Sequence, residues 1–415
     1  MAERARTLLA AVAALAICAP AWAAPSLPPE PQVIAALDSH PSVAAAASRV
    51  DAARAGASAL ARGTHEFTLQ GSYVSRDVTN EGRFNEFDAQ VMRAVRLPGK
   101  AQLDRSAGEL GVEVAHNRME DARHQVSLMF AGLWFDWLVS AELRRNELAS
   151  AKLLEQELRA LERRRDLRDA SQLEVDQAQA ALDQALGQAA QTAAGETQAR
   201  VRLAANFTDL PLPETAPDLG QPELPVQALE DLRGLVISRS HEILAADREA
   251  ARLDVVARRS ERDRMADPSV GVRVFSERSG MERGAGLVFQ MPLGGGYRKA
   301  QAQQASAEAN AATFDLASIR RMVEATADAD LADVRSRMET WQRFASAVRS
   351  AGQAAERSAI GYRLGATDLA DLLLIRRQHH DARRMEIMAR GDALRALLKL
   401  QIDAHVIWKD EDIDH

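Results

Sequence analysis

The chain has 415 residues, of which 27% are charged and only 4% aromatic, and its formal net charge is −7. This composition is typical of long helices that pack through coiled-coil seams, and it argues against a large globular core. The acidic balance also disfavours nucleic acid as a partner.

Residues 1–23 have the features of a secretory signal peptide: two arginines, an apolar run, and the small residues Ala21 and Ala23 before the expected cleavage site. The only cysteine in the sequence, Cys18, lies inside this segment, so the exported chain is expected to have no disulfide. Ile17 fits poorly into a lipidation signal, which favours an N terminus without an acyl chain.

The segment from Pro31 to Arg62 has apolar residues at helical intervals and predicts one helix. Two segments of alternating apolar and polar residues follow, joined by a polar connection at 76–86, and they predict two strands with one apolar face each. The residues of that apolar face are Phe67, Leu69, Tyr73, Phe87 and Val91.

Pro98-Gly99 ends the second strand, and no further proline occurs until Pro211. The intervening residues predict a helix from Lys100 to about Arg164, a rod on the order of 100 Å long. Apolar residues stepping by three and four before and after 167–172 predict a helical hairpin with its tip at that interruption.

The second half of the chain repeats this plan. "SHPSVAAAASR" at Ser39 has a relative, "SHEILAADREA", at Ser240, and "RLPGK" has a relative in "MPLGGG". The near-constant spacing, roughly 200 residues, indicates a duplication. We predict a first structural repeat at 24–206, a proline-rich linker at 207–225, a second repeat at 226–408 with one helix over 226–263, and an acidic tail at 409–415.

No run of about twenty apolar residues follows the signal, so any membrane crossing is expected to use strands. Four strands are too few to close a barrel, and open sheet edges cannot face lipid. Three copies of the chain would supply a barrel of about 12 strands with a water-filled interior.

The duplicated plan, the two strand-to-helix breaks and the "YRLGATDLADL" tip resemble the TolC family of outer-membrane efflux channels, over essentially the whole mature chain. "LPGKAQ" and the short length are most similar to the heavy-metal (CzcC-like) branch. The resemblance implies a homotrimer in the outer membrane of a Gram-negative bacterium, with a periplasmic α-barrel. It further implies a periplasmic adaptor and an inner-membrane RND-type pump as partners. The resemblance also implies passive conduction, with heavy-metal cations favoured as substrate. No catalysis, cofactor or resident metal is expected.

The resemblance also assigns residues. Those expected at the periplasmic entrance are Asp371, Tyr362, Glu174 and Asp368, with Tyr362 bonding to Glu174 of the other hairpin. Those expected to dock the adaptor are Gly365, Arg168 and Ser171. Leu374 and Thr367 depart from the family pattern, which predicts a weaker cation filter and an incomplete latch.

Each assignment has a plainer alternative. A lone aspartate at a helical tip is usually solvated, a terminal tyrosine is often only packed, and His379 and His380 diverge too far on a helix to chelate one ion together. For the whole chain, the competing interpretations are a periplasmic adaptor, which has a single hairpin with larger β domains, and a coiled-coil spacer without a pore.

Overall fold

The computed structural model describes residues 27–409, so the predicted signal peptide and most of the acidic tail lie outside the described residues. The described chain is mostly α-helical, with one antiparallel sheet, as predicted. Its elements are α1 (Glu30–Asp38), α2 (Pro41–Arg62), β1 (Phe67–Val78), β2 (Gly82–Ala94), α3 (Lys100–Asp166), α4 (Gln172–Asn206), α5 (Leu229–Ser238), α6 (His241–Arg262), β3 (Ser269–Glu277), β4 (Glu282–Gln290), α7 (Gly296–Arg363) and α8 (Leu369–Asp403), with a 3₁₀ turn at Arg278–Gly280.

The two halves of the described chain share one element order and nearly equal lengths. The long helices α3 and α7 have 67 and 68 residues, and the returning helices α4 and α8 have 35 each. The preceding helices α2 and α6 both have 22 residues. Each half therefore consists of two shorter helices, two strands and one long helical hairpin.

The prediction of a single helix at the start of each half was wrong. Pro41 occupies the first turn of α2, where its missing N–H is harmless, and the His40 side chain accepts a hydrogen bond from the Ser42 N–H at 3.2 Å. In the second half the Ser240 hydroxyl caps α6 by accepting from the Ile243 N–H at 3.2 Å. The repeated Ser-His phrase thus marks a helix start.

The polar connection predicted at 76–86 is mostly strand, which is a second correction. β1 runs to Val78 and β2 begins at Gly82, so only three residues form the turn. Asn80 in the turn and Gly82 at the start of β2 have positive φ. The polar residues pair across the hairpin instead of looping out, as in the ion pair between Arg76 and Glu86 at 2.6 Å.

The four strands form one sheet in the order β1-β2-β3-β4, antiparallel throughout. The β2–β3 pairing joins the two halves of the chain. Strands β1 and β4 are the edges, and neither has a partner on its outer side among residues 27–409.

The helices pack into three apolar clusters. One lies around Phe130, Trp134 and Trp137 of α3, a second between α5, α7 and α8, and a third at the hairpin tips. The predicted linker is not a free tether, because Phe207 and Leu219 are buried in the first cluster. Packing by the aromatic residues of α3 thus fixes the proline-rich segment between the halves.

Within the described residues, α3 contains an 18-residue window that is long and apolar enough to cross a membrane, by length and composition only. The expectation that no helix is apolar enough was therefore too strict. Half of that window is buried inside the protein. Since α3 also supplies Trp134 and Trp137 to the first cluster, a core role accounts for its apolar residues.

A buried cation fixes the junction between sheet and helices. Lys100, the first residue of α3, is 1% exposed, and its ammonium donates to the Met265 carbonyl at 2.7 Å. The same nitrogen lies 2.8 Å from Asp263 and 2.9 Å from Asp267, so its charge is fully compensated. Asp267 also accepts from the Leu97 N–H at 3.0 Å, which ties β2 to the start of β3.

Candidate functional site at the hairpin tips

The two hairpin tips have the same backbone. Arg168 and Gly365 lie at equivalent positions with φ of 62° and 72°. The Arg168 N–H donates to the Arg165 carbonyl and the Gly365 N–H to the Tyr362 carbonyl, at 2.8 and 3.1 Å. With the matching bonds from Asp169 and Ala366, these form the same helix-ending motif, in which a left-handed residue satisfies the last carbonyls.

Both returning helices, α4 and α8, begin with an N-cap residue whose side chain is hydrogen-bonded, and each has a carboxylate three residues after the cap. Ser171 caps α4 in a capping box, with the Glu174 carboxylate accepting from the Ser171 N–H at 2.7 Å. Asp368 caps α8 by accepting from the Asp371 N–H at 2.8 Å. Glu174 and Asp371 therefore occupy the same helical position, where the helix dipole favours negative charge, and Asp371 is exposed.

Tyr362 does not pair with Glu174. Its hydroxyl accepts a hydrogen bond from Arg164 at 2.9 Å, and the guanidinium also lies over its ring. The Glu174 carboxylate is engaged by Ser171 instead, since one of its oxygens accepts from both the N–H and the hydroxyl of Ser171. Arg164 in turn donates to Asp169 at 2.8 Å, so three residues link the end of α7 to the end of α3.

Tyr362 and Arg164 both keep their ordinary protonation states at neutral pH. Burial raises the pKa of Tyr362 above its usual value, against the opposing effect of Arg164. The hydrogen bond to Asp169 raises the pKa of Arg164. The pair therefore remains a neutral phenol and a charged guanidinium at neutral pH.

An apolar layer lies beneath the link and holds the two hairpins together. Leu161 of α3, Val175 of α4 and Leu372 of α8 are buried in the third cluster, with Tyr362 packed against it. Leu369 and Leu372 are 2% and 0% exposed, although they lie within one turn of the tip. The tips are thus one packed unit within the chain.

A groove of about 1230 Å³ continues from the tips between the hairpins. His380 lies there against the buried carboxylate of Glu147 at 2.9 Å, with Asn146 at 3.2 Å, so it is not the solvated residue predicted. Burial lowers the pKa of the neighbouring His379. Among residues 27–409 no group of three or more His, Cys, Asp or Glu side chains is arranged to hold a metal ion.

The sheet presents a second candidate surface. The strand register places one row of side chains, Leu69, Val91, Val272 and Leu287, on the same face. Every residue predicted for the apolar face lies on it and is exposed: Phe67 and Tyr73 by 70%, Leu69 by 75%, Phe87 by 50% and Val91 by 44%. The opposite face carries polar groups such as the hydrogen-bonded Gln70 and Gln90.

The sequence did not identify Arg164 or the second half of the apolar face. Three consecutive arginines, 163–165, gave a signal, but only the helical phase at the tip determines which one reaches Tyr362. The apolar residues of β3 and β4 were visible as alternation; their alignment with β1 and β2 depends on the β2–β3 register.

Arg168 is held in a backbone conformation that costs a residue with a Cβ about 1 kcal/mol. We expect Arg168→Gly to raise the free energy of unfolding by about that amount, and Gly365→Ala at the equivalent position to lower it similarly. Thermal unfolding followed by circular dichroism measures both. Destabilisation by Arg168→Gly would contradict the backbone assignment, because the Arg168 side chain forms no hydrogen bond or ion pair within residues 27–409 that its removal would cost.

No family model matches the sequence, and no curated protein matches it either. Solved structures do match. The outer membrane protein VceC of Vibrio cholerae is 16% identical with a TM-score of 0.71, covering 90% of this chain and 95% of that chain. The open-state outer membrane channel MtrE of Neisseria gonorrhoeae is 17% identical with a TM-score of 0.72, covering 93% and 90%.

The outer-membrane channel OprN is 21% identical with a TM-score of 0.71, covering 92% of this chain and 91% of that chain. The likeness extends over nearly the full length on both sides, so it is not confined to a shared hairpin. At these identities the likeness is one of fold. The chain has the fold of TolC-type outer-membrane channels.

Proposed function

We propose that this protein is the outer-membrane channel of a tripartite efflux system, through which substrate passes passively. The observation that carries the proposal is the sheet: one continuous apolar, exposed face on four strands with two free edges, attached to helices of 67 and 68 residues. A soluble protein rarely exposes an apolar patch of this extent. Lipid is the environment that this face fits.

The free edges require other copies of the chain. In lipid, unpaired backbone N–H and C=O groups cost several kcal/mol each, so β4 of one copy pairs with β1 of the next. Three copies close a barrel whose polar face, including the ion pair between Asp88 and Arg273, lines the pore. The apolar face then contacts the outer membrane.

The hairpins extend from this barrel into the periplasm, where their tips form the entrance. A periplasmic adaptor docks at the tips and connects the channel to an inner-membrane pump, of the RND type. The exposed turn residues Arg168, Ser171 and Gly365 provide the docking surface. Substrate choice belongs mainly to the pump; the resemblance to the heavy-metal branch favours metal cations.

The proposal is tested by fractionation and conductance. We expect the protein in the outer-membrane fraction, migrating as a trimer on a gel when it is not boiled, and forming ion-conducting pores in planar bilayers. A monomer in the periplasmic fraction would exclude the channel and favour an adaptor or a coiled-coil spacer. A trimer that never conducts would also contradict the proposal.

Tyr362→Phe removes the hydroxyl that accepts from Arg164 while it keeps the buried ring. A hydrogen bond to a charged group contributes about 1.5–3 kcal/mol, so its loss should weaken the closed entrance and raise single-channel conductance several-fold. Tyr297→Phe is the matched control, at the other end of α7. Equal conductance in wild type and Tyr362→Phe would reject the latch.

Asp371 is exposed at the start of α8 and, in a trimer, recurs three times around the entrance. Rings of carboxylates favour cations, so Asp371→Asn should lower the cation-to-anion permeability ratio by roughly two- to fivefold. Reversal potentials in a salt gradient measure the ratio. The control is Asp315→Asn, an exposed carboxylate on α7 far from the tip, and an equal effect of both variants would place selectivity elsewhere.

A further inference from the structure

A cleft of about 780 Å³ lies where the second half of the chain passes from sheet to helix. Three junctions line it: the end of β2, the end of α6, and the loop between β4 and α7. Gly294 brings this loop onto the α6 end, because a Cβ there would lie only 2.8 Å from the Arg264 carbonyl oxygen. The cleft is therefore part of the packed junction.

The lining of the cleft is strongly basic. Besides the buried Lys100, the cleft is lined by four cationic side chains and by a single carboxylate, that of Glu261. The four cations are Arg262, Arg264, Arg298 and Lys299.

The carboxylates nearby are already engaged. Glu261 pairs with Arg264, while Asp263 and Asp267 are taken by Lys100. Arg262 and Lys299 are exposed, and their side chains form no hydrogen bond or ion pair within residues 27–409. Positive charge therefore remains to attract an anion.

Exposed apolar side chains surround these cations. Leu293 is 91% exposed, Tyr297 74% and Met265 60%. Leu293 and Tyr297 follow β4 in the chain, and on β4 itself Leu287 is 92% and Phe289 67% exposed. A rim that combines aromatic, aliphatic and basic side chains next to a lipid-facing sheet is typical of the headgroup layer of a membrane.

The strand-to-helix junction of the first half forms one wall of this cleft, but its own cation is neutralised. There Pro98 is followed within two residues by α3, and Lys100 is buried under two aspartates. In the second half α7 begins only at Gly296, two residues later relative to Pro292. There Arg298 donates to the Asp263 carbonyl at 2.9 Å, while Lys299 is exposed. The basic cleft is thus a feature of the second junction that the repeat plan does not require.

We propose that this cleft binds the phosphate headgroup of an anionic phospholipid in the membrane leaflet nearest the helices, while the acyl chains lie on the apolar face of β4. The proposal rests on the proposed function, since it requires the sheet to span a membrane. Arg262 and Lys299 contact the phosphate, and Leu293 and Tyr297 lie at the boundary with the hydrocarbon layer. Each chain would provide one such site.

The test uses the full chain purified from the membrane fraction and native mass spectrometry with added phosphatidylglycerol or phosphatidylcholine. We expect preferential retention of phosphatidylglycerol. A cation near an anionic lipid contributes roughly fivefold to binding, so Arg262→Gln with Lys299→Gln should raise the half-saturating concentration about 30-fold. Arg262→Lys with Lys299→Arg keeps both charges and should retain binding.

The matched control is Arg320→Gln with Arg321→Gln, which removes the same charge from exposed positions on α7 about 30 Å farther along. An equal loss in this control, or equal retention of the two lipids by wild type, would overturn the site. Complete displacement of the lipid by inorganic phosphate would also overturn the site, since it would identify a free-phosphate site. Absence of lipid because a neighbouring copy covers the cleft would overturn it as well.

The same wild-type preparation is assayed for conductance in bilayers of neutral lipid. A conducting channel without preference for phosphatidylglycerol rejects the lipid site alone. A protein that does not conduct rejects the proposed function.

Discussion

The unpaired edges of the four-stranded sheet are the constraint on which the proposed channel depends. Water satisfies the free N–H and C=O groups of β1 and β4 only outside a membrane; in lipid another strand has to do so. The apolar row on one face also fixes how copies meet, since a shift of one residue in the new pairing would turn every apolar side chain of the added strand toward the pore. In the proposed channel, the need to pair the edges of β1 and β4 with the apolar faces aligned thus determines the oligomerisation, the strand register and the position of the helices around the axis.

The hairpin tips show how the duplicated halves reached the same backbone with different residues. The helix-ending turn needs a left-handed residue, which is Gly365 in one tip and Arg168 in the other. Capping follows the same rule: Ser171 and Asp368 are both short acceptors at the N-cap position, immediately before a returning helix. The tips differ in the residues that join them: the hydroxyl of Tyr362 on α7 accepts a hydrogen bond from the guanidinium of Arg164 on α3.

Much of the fold was predictable because it depends on local signals. Prolines, glycines and periodicity located both hairpins, and alternation located the strands. Two failures concern element boundaries. A single helix over 31–62 was inferred from apolar periodicity and a loop at 76–86 from polar composition, whereas capping by His40 and cross-strand pairing of Arg76 with Glu86 determine the boundaries. The predicted pair of Tyr362 with Glu174 failed because a capping box competes for that carboxylate at short range. Contacts between distant segments, such as Lys100 with Asp263 and Asp267, had no sequence signal.

In the proposed channel, the charges of Tyr362 and Arg164 restrict how the entrance can open. Burial raises the pKa of Tyr362 and the hydrogen bond to Asp169 raises the pKa of Arg164, so neither group changes charge as pH falls from neutral. Acidification therefore leaves this hydrogen bond intact. Opening has to come from a competing contact, and one that replaces a charged hydrogen bond must supply about 1.5–3 kcal/mol per chain. In the proposed assembly that energy comes from docking at the exposed turns that flank the link, which places the adaptor surface and the latch within a few residues of each other.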